Sequence, residues 1–336
     1  MKSLLYVGNK LSIHGSNTTA IETLGPMLER EGFNVHYASS KQSKPLRLLD
    51  MIGMTLRFAR QSKYVLIDTY STSNFWYAFV VSQLCRLLRV KYIPILHGGE
   101  LPKRLANNPR LCHLIFAHSF VNVAPSGYLF DAFQRAGFGQ MKLIPNAIPI
   151  AEYSFKRRTS VAPKLLWVRS FASIYNPEMA LQVLAEVKKV FRDATLCMVG
   201  PDKDGNLEKM RKMAQQRDLE VQFTGRLPKA EWIRLSEQYD IFINTTHHDN
   251  MPVSVLEAMA LGLPVVSTNV GGLPFLLDDH QTALLVNDGD VEKMADCVVN
   301  LVENEQLTRK LVQNAYNLTR EFDQVKVAAQ WLEILK

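Results

Sequence analysis

The sequence predicts an α/β protein made of two doubly wound domains of parallel strands and helices. Three observations carry this. A length of 336 residues suits two domains of roughly 150 residues each, and 47% apolar residues suffice for two cores. Short apolar runs of strand length alternate with longer helical patterns, in one series before the middle of the chain and a second after it. Between the series lies a basic, polar run, Lys156-Arg157-Arg158-Thr159-Ser160, which reads as a linker. The expected division is 1–155 for the first domain and 160–319 for the second, with about 320–336 as a closing helix.

The start of the chain, Met1-Lys2-Ser3-Leu4-Leu5-Tyr6-Val7-Gly8, has too short an apolar run for an export signal and reads as a first strand. The most apolar helical run, Phe75 to Val81, is far short of a membrane span. Cys85, Cys112, Cys197 and Cys297 are scattered, without the close pairing of zinc or redox motifs, and fit buried thiols in a reducing cytoplasm. Neither a bound metal nor a nucleic-acid partner is expected. Charge is unevenly divided: through Glu152 there are 17 Lys and Arg against 8 Asp and Glu, a net +9, and the remainder carries 22 against 24, a net −2. That imbalance points to an anionic surface or acidic partner for the first half only.

The first half opens with strand Leu4 to Gly8, a loop through His14-Gly15-Ser16-Asn17-Thr18 and a helix from about Thr19 to Arg30. The loop lacks Gly-x-Gly-x-x-Gly, so a dinucleotide fingerprint is not supported. Strand Asn34 to Ser39 leads into Lys41 to Lys63, where Lys41, Lys44, Arg47, Arg57, Arg60 and Lys63 interleave with apolar residues. Either this is a helix with a solvated basic face, or it lies on an anionic membrane surface. Tyr64 to Asp68 and Lys91 to Leu96 read as buried strands around an aromatic helix, and the second ends in His97-Gly98-Gly99-Glu100. A His just past such a strand sits on the ligand face of the sheet. Val121 to Ser126 and Lys142 to Ile148 complete the series.

In the second half, Leu165 to Val168 is a strand, Asn176-Pro177-Glu178 caps a helix to about Val190, and Ala194 to Val199, Val221 to Thr224 and Asp240 to Asn244 are further strands. Asp202-Lys203-Asp204 and Asp288-Gly289-Asp290 match the Asp-x-Asp of metal-dependent transferases, but their glycines make turns the expected reading. Amphipathic helices from about Val291 to Asn304 and Gln306 to Thr319 precede the closing segment, Phe322 to Leu335.

The most informative stretch runs from Asp249-Asn250-Met251-Pro252-Val253-Ser254-Val255-Leu256-Glu257 to Gly271-Gly272: a polar loop after a buried strand, a short apolar helix, and a second strand ending in paired glycines. Pro252 suits the first helical position and leaves first-turn amides unpaired, so free N–H groups and the positive end of the helix dipole would meet an anion, with phosphate the expected one. Asp249 and Glu257, with seven residues between them, would both reach a ligand across that helix start. Ser254-x-x-Glu257 is also a capping-box pattern, a structural alternative for Glu257.

This stretch resembles the Glu-x7-Glu signature of the family-four retaining glycosyltransferases, with Asp in first place. The resemblance implies two facing Rossmann-like domains (GT-B), acceptor on the first and nucleotide-sugar donor on the second, and a C-terminal helix crossing back to the first. It assigns Glu257 to the nucleotide ribose and Asp249 with the amides of Asn250, Met251, Pro252, Val253 and Ser254 to the donor sugar and diphosphate, Pro252 itself having no N–H to give. Arg169 falls to the departing diphosphate, His97 to the sugar, Glu100 to the acceptor side, and Gly15 to a loop over the donor phosphates. Of Asn146-Ala147-Ile148 only Asn146 is carried over, as a structural residue. The family pattern places a Lys about five residues after Arg169. Here Ile174 stands there, and Arg226 and Lys229, in and after Gly225-Arg226-Leu227, are possible replacements.

The expectation is a metal-independent, cofactor-free retaining glycosyltransferase using a nucleotide diphosphate sugar and a glycan or lipid-linked sugar acceptor in polysaccharide or glycolipid assembly. It would be cytoplasmic, or peripheral at the inner membrane face. A nucleotide-sugar epimerase or hydrolase of the same fold and a catalytically silent sugar-nucleotide-binding protein are the alternatives.

Overall fold

The computed structural model describes residues 2–14 and 19–336, so the expectation for Gly15 lies outside the described residues. The chain forms two compact units, Met1–Ala147 with Gln324–Lys336, and Ile148–Asp323.

Unit 1 holds a six-stranded parallel sheet of β1 (Ser3–Val7), β2 (Asn34–Ala38), β3 (Tyr64–Thr69), β4 (Tyr92–Leu96), β5 (Asn122–Ala124) and β6 (Met141–Leu143), in the order β2-β1-β3-β4-β5-β6. Its helices are α1 (Ala20–Arg30), α2 (Lys44–Phe58), α3 (Phe75–Leu87), α4 (Leu101–Asn107), α5 (Pro109–Phe116) and α6 (Gly127–Arg135). Unit 2 repeats the plan with β7 (Lys164–Val168), β8 (Thr195–Val199), β9 (Val221–Gly225), β10 (Ile241–Asn244), β11 (Val265–Thr268) and β12 (Leu284–Val286), in the order β12-β11-β10-β7-β8-β9. Its helices are α7 (Pro177–Val190), α8 (Asn206–Gln216), α9 (Lys229–Ser236), α10 (Val253–Ala260), α11 (Leu273–Leu276), α12 (Val291–Glu303) and α13 (Glu305–Thr319). The closing helix is α14 (Gln324–Leu335).

Central parallel strands are covered on both faces, which is why they read as continuous apolar runs. In β1, Leu4 and Tyr6 pack with Leu28 of α1 and Trp331 of α14, whereas Leu5 and Val7 pack with Met51 of α2 and Val81 of α3. The same alternation in β7 sends Leu165 and Trp167 toward α7 and α12, and Leu166 toward Val255 and Met259 of α10. Because every strand of a sheet runs the same way, the segments after β7, β10 and β11 gather at one edge.

Several local readings need correction. The basic stretch is α-helical over Lys44–Phe58 and continues as a 3-10 turn over Ala59–Gln61, and Arg47 is buried, donating to the carbonyls of Lys41 (2.7 Å) and Gln42 (2.8 Å) and to Asn9 Oδ1 (3.2 Å). Lys63 donates to the carbonyls of Leu335 and Lys336. Arg47 is therefore spent inside unit 1, while Lys63 stays exposed and tied to the chain's last residues. In the run 156–160, which lies in unit 2, Lys156, Arg157, Thr159 and Ser160 are exposed, but Arg158 is buried and donates to the carbonyls of Leu261 (2.9 Å) and Tyr239 (3.0 Å) beside Asp240. Asn176 does cap α7, accepting from the Met179 N–H at 3.3 Å.

The closing helix belongs to the core of unit 1 through Val327, Ala328, Trp331 and Leu335. Trp331→Ala is expected to cost about 3–5 kcal/mol, the range for deleting a large buried aromatic, seen as a lower urea midpoint for unit 1.

Candidate functional site

The second sheet presents its site at the ends of β7, β10 and β11. Helix α10 starts at Val253, with Pro252 as its cap rather than its first residue. Proline has no N–H and no side-chain oxygen, so it cannot cap the way Ser or Asp does. The carbonyl of Pro252 accepts from the amides of Val255 (3.1 Å) and Leu256 (3.4 Å), which leaves the Val253 and Ser254 N–H groups outside the helix ladder. The Ser254 hydroxyl is buried with no hydrogen-bond partner, so no capping box with Glu257 forms. The loop ahead of the helix is held by Gly271 and Gly272: the Gly272 N–H donates to the Asp249 carbonyl at 2.8 Å, and a Cβ on either glycine would overlap the carbonyl of Asp249 or Asn250. Those paired glycines are thus the floor of the Asp249–Pro252 loop.

Arg169, the residue after β7, reaches this loop. Its guanidinium pairs with Asp249 Oδ2 at 2.5 Å and lies over the Tyr175 ring at 5.0 Å. The two charged side chains keep only 14% and 16% of their exposure. Three threonines pin the segment 169–176 in place. Thr245 Oγ1 donates within 3.0 Å of the Tyr175 and Asn176 carbonyls while accepting from Trp167 Nε1. Thr246 Oγ1 lies 3.1 Å from the Ile174 carbonyl, and Thr268 Oγ1 donates to the Thr246 carbonyl at 2.6 Å.

Glu257 lies one and a half turns into α10 and is 8% exposed. Its Oε1 accepts from the Tyr153 hydroxyl at 2.7 Å, with Lys229 Nζ 3.4 Å away. Burial pushes this carboxyl above its ordinary value, opposed by Lys229, by the Tyr153 hydrogen bond and by the charge of Arg169. Lys229 opens α9 and also spans the Tyr153 ring at 5.0 Å. Arg226 is exposed on the β9–α9 connection. Unit 2 thus brings together Arg169, Asp249, Glu257 and Lys229. Tyr153 and Tyr175, which complete the cluster, carry no local sequence signal.

In unit 1, His97 follows β4 and is 8% exposed, with Nε2 2.9 Å from Asp68 Oδ1. It shares a narrow crevice with Asn146, Thr23 and Trp331. Glu100 is exposed at the start of α4 and pairs with Lys103 at 3.1 Å. The Asp-x-Asp runs are engaged locally. Asp204 accepts from the Ser173 N–H and Asp290 caps α12, while Asp288 meets His247 at 2.8 Å. Among the described residues no group of three or more His, Cys, Asp or Glu is placed to hold a metal ion.

Residues 152–318 match the family model described as glycosyl transferases group 1. This segment is a group 1 glycosyltransferase domain. The chain is similar to the amylovoran biosynthesis glycosyltransferase AmsK of Erwinia amylovora, 26% identical over 319 residues, covering 83% of this chain and 76% of that protein. Similarity to the glycogen synthase of Mycobacterium tuberculosis (strain ATCC 25618 / H37Rv), 26% identical, covers 59% of this chain and 49% of that one. In three dimensions the chain matches Anabaena Alr3699/HepE, crystallised with UDP, at a TM-score of 0.81 and 18% identity, covering 100% of this chain and 99% of that one. Two six-stranded parallel sheets in two domains are the GT-B architecture.

The cluster in this segment offers one guanidinium, one ammonium and two free helix N–H groups to an anion, and two carboxylates to hydroxyl donors. A carboxyl with a raised native pKa binds its proton more tightly folded than unfolded. Stability from this group is therefore present below the ordinary Glu value of about 4.3 and is lost as pH rises through the raised value. Above that raised value ionised Glu257 is a cost, so on the alkaline side Glu257→Gln is expected to leave the melting temperature of the ligand-free protein equal or higher, with the Tyr153 hydrogen bond kept. Scanning calorimetry of the two proteins checks this.

Proposed function

We propose that this protein is a retaining glycosyltransferase that moves a sugar from a UDP-sugar to a hydroxyl of a glycan or lipid-linked sugar, in polysaccharide or glycolipid assembly. The observation that carries it is the meeting of Arg169, the α10 N-terminus and Glu257 at the end of the second sheet. Uridine is favoured because HepE has been crystallised with UDP and with UDP-glucose, and a polysaccharide role because AmsK is named for amylovoran biosynthesis.

Glu257 takes the ribose hydroxyls, while Val253 and Ser254 N–H groups with Arg169 take the diphosphate. Lys229 supplies the second cation in place of the one missing at Ile174, with exposed Arg226 nearby in sequence. Asp249 and His97 serve the transferred sugar. As the bond from the sugar C1 to the β-phosphate oxygen breaks, the acceptor oxygen bonds to C1 on the same face, and its proton passes to the departing phosphate. That route needs no enzyme nucleophile and no metal, only charge fixed in advance around the leaving group.

A panel of nucleoside diphosphate sugars, followed by nucleotide release in excess chelator, tests the reading. UDP-sugars are expected to bind and turn over without added divalent cation. Arg169→Ala is expected to lower turnover at least about a hundredfold, the usual loss for one preorganised charge, and Glu257→Ala to weaken UDP binding. Turnover that requires magnesium overturns the metal-free route, and binding without transfer leaves a sugar-nucleotide-binding protein.

The acceptor is proposed to sit at an anionic membrane surface. Along α2, Leu46, Leu49 and Leu56 are exposed in one stripe at spacings of three and seven, and Lys44 and Arg57 of this helix and Arg60 just after it are exposed too. Basic residues near an anionic leaflet contribute about 1 kcal/mol each, and leucines between them add shallow insertion. Sedimentation with anionic vesicles at low salt is expected to carry the protein down, and Leu46→Ser with Leu49→Ser to release it. Protein that stays in the supernatant removes the membrane from the reading.

A further inference from the structure

Asp68 is the last but one residue of β3 and is 4% exposed, yet among the described residues no Lys or Arg pairs with it. Its Oδ1 accepts two hydrogen bonds, from the Tyr6 hydroxyl at 3.0 Å and from His97 Nε2 at 2.9 Å. Its Oδ2 is buried without a partner, in space that exists because residue 8 is glycine: a Cβ there would overlap it. A buried carboxylate is costly unless its neighbours are built to receive it. Here three different strands contribute: Tyr6 comes from β1, Asp68 from β3 and His97 from the end of β4. The Tyr6 phenol is held well above its ordinary value by burial first and by the Asp68 charge second, so it stays a donor. Tyr70 packs its ring 5.1 Å from that of His97 at 30°, and the His97 N–H donates to the Thr69 carbonyl at 2.7 Å. Ring plane, backbone and one ring nitrogen of His97 are therefore all fixed from below. Among the described residues, the ring has no second hydrogen-bond partner.

We propose that Asp68 is a positioning residue for the transfer reaction: it holds His97 with Nε2–H bonded to the carboxylate and reserves Nδ1, as an acceptor, for a sugar hydroxyl. A neutral imidazole has one donor and one acceptor nitrogen, and the partner of one nitrogen decides the role of the other. A carboxylate only accepts, so it selects the Nε2–H tautomer. His97 then discriminates for a ligand group that donates O–H, and against a bare acceptor oxygen at the same place. The claim rests on the glycosyltransferase reading only for the identity of the ligand; the hold of Asp68 on His97 stands apart from it.

The test uses the full-length protein labelled with 15N-histidine, with the His97 signals assigned by their loss in His97→Gln. Wild type is expected to show a protonated Nε2 and an unprotonated Nδ1 at neutral pH. Asp68→Asn, whose carboxamide can donate as well as accept, is expected to lose that single tautomer and about tenfold to a hundredfold in turnover, as for other groups that orient a histidine. UDP affinity is expected to be unchanged. Tyr6→Phe, which removes the other bond to Oδ1, is expected to keep the tautomer. An Nδ1–H tautomer in wild type, an unchanged His97 spectrum in Asp68→Asn, or turnover within twofold of wild type in that variant overturns the proposal. If Asp68→Asn does not fold, the wild-type tautomer decides. If no nucleotide sugar is turned over at all, the failure belongs to the proposed function, and the spectra still decide the role of Asp68.

Discussion

The ion pair between Arg169 and Asp249 is the contact on which the side-chain cluster of unit 2 depends. The residues are 80 positions apart in sequence, and they meet because β7 and β10 are adjacent parallel strands that end at one edge. With both side chains mostly buried, each charge needs the other. Everything else in the cluster follows from holding those two ends still: the threonines beneath 169–176, the glycine pair beneath 249–252, and Tyr175 under the guanidinium. A ligand anion at the α10 start would meet an arginine already oriented, so little ordering remains to be done on binding.

Much of the fold was legible because parallel strands buried on both faces write themselves as apolar runs, and because Asn176-Pro177 starts a helix in the way its backbone chemistry requires. The motif around Asp249 and Glu257 was legible for a related reason: a loop, a helix start and a glycine pair consecutive in sequence are also consecutive in space. Strand β12 and the short helices α4, α5 and α11 carry too few residues to show a period.

What sequence could not supply was partnership across the fold. Nothing near Arg47 or Lys63 says that their charges are absorbed by main-chain carbonyls, and the run around Arg158 has the composition of a linker although Arg158 is buried. Lys229 was a candidate for the diphosphate from its place after Gly225-Arg226-Leu227, but its position beside Glu257 and Tyr153 depends on where α9 and the 148–156 segment pack. Asp68 was visible only as the polar end of a strand. Its pairing with His97 depends on the register of β3 with β4.

The return of the closing helix bears on how the protein comes to exist. Unit 1 keeps part of its core in Val327, Ala328, Trp331 and Leu335, and the whole of residues 148–323 is translated before them. At roughly 5–20 residues per second, the apolar face of α1 and of the first sheet waits about ten to thirty-five seconds for its cover. By the end of that interval unit 2 has all its strands and can fold, whereas unit 1 is still a sheet lacking its last helix. The nascent chain is thus the form most exposed to aggregation and most in need of a chaperone, and a truncation that removes only the last helix would strand the protein there.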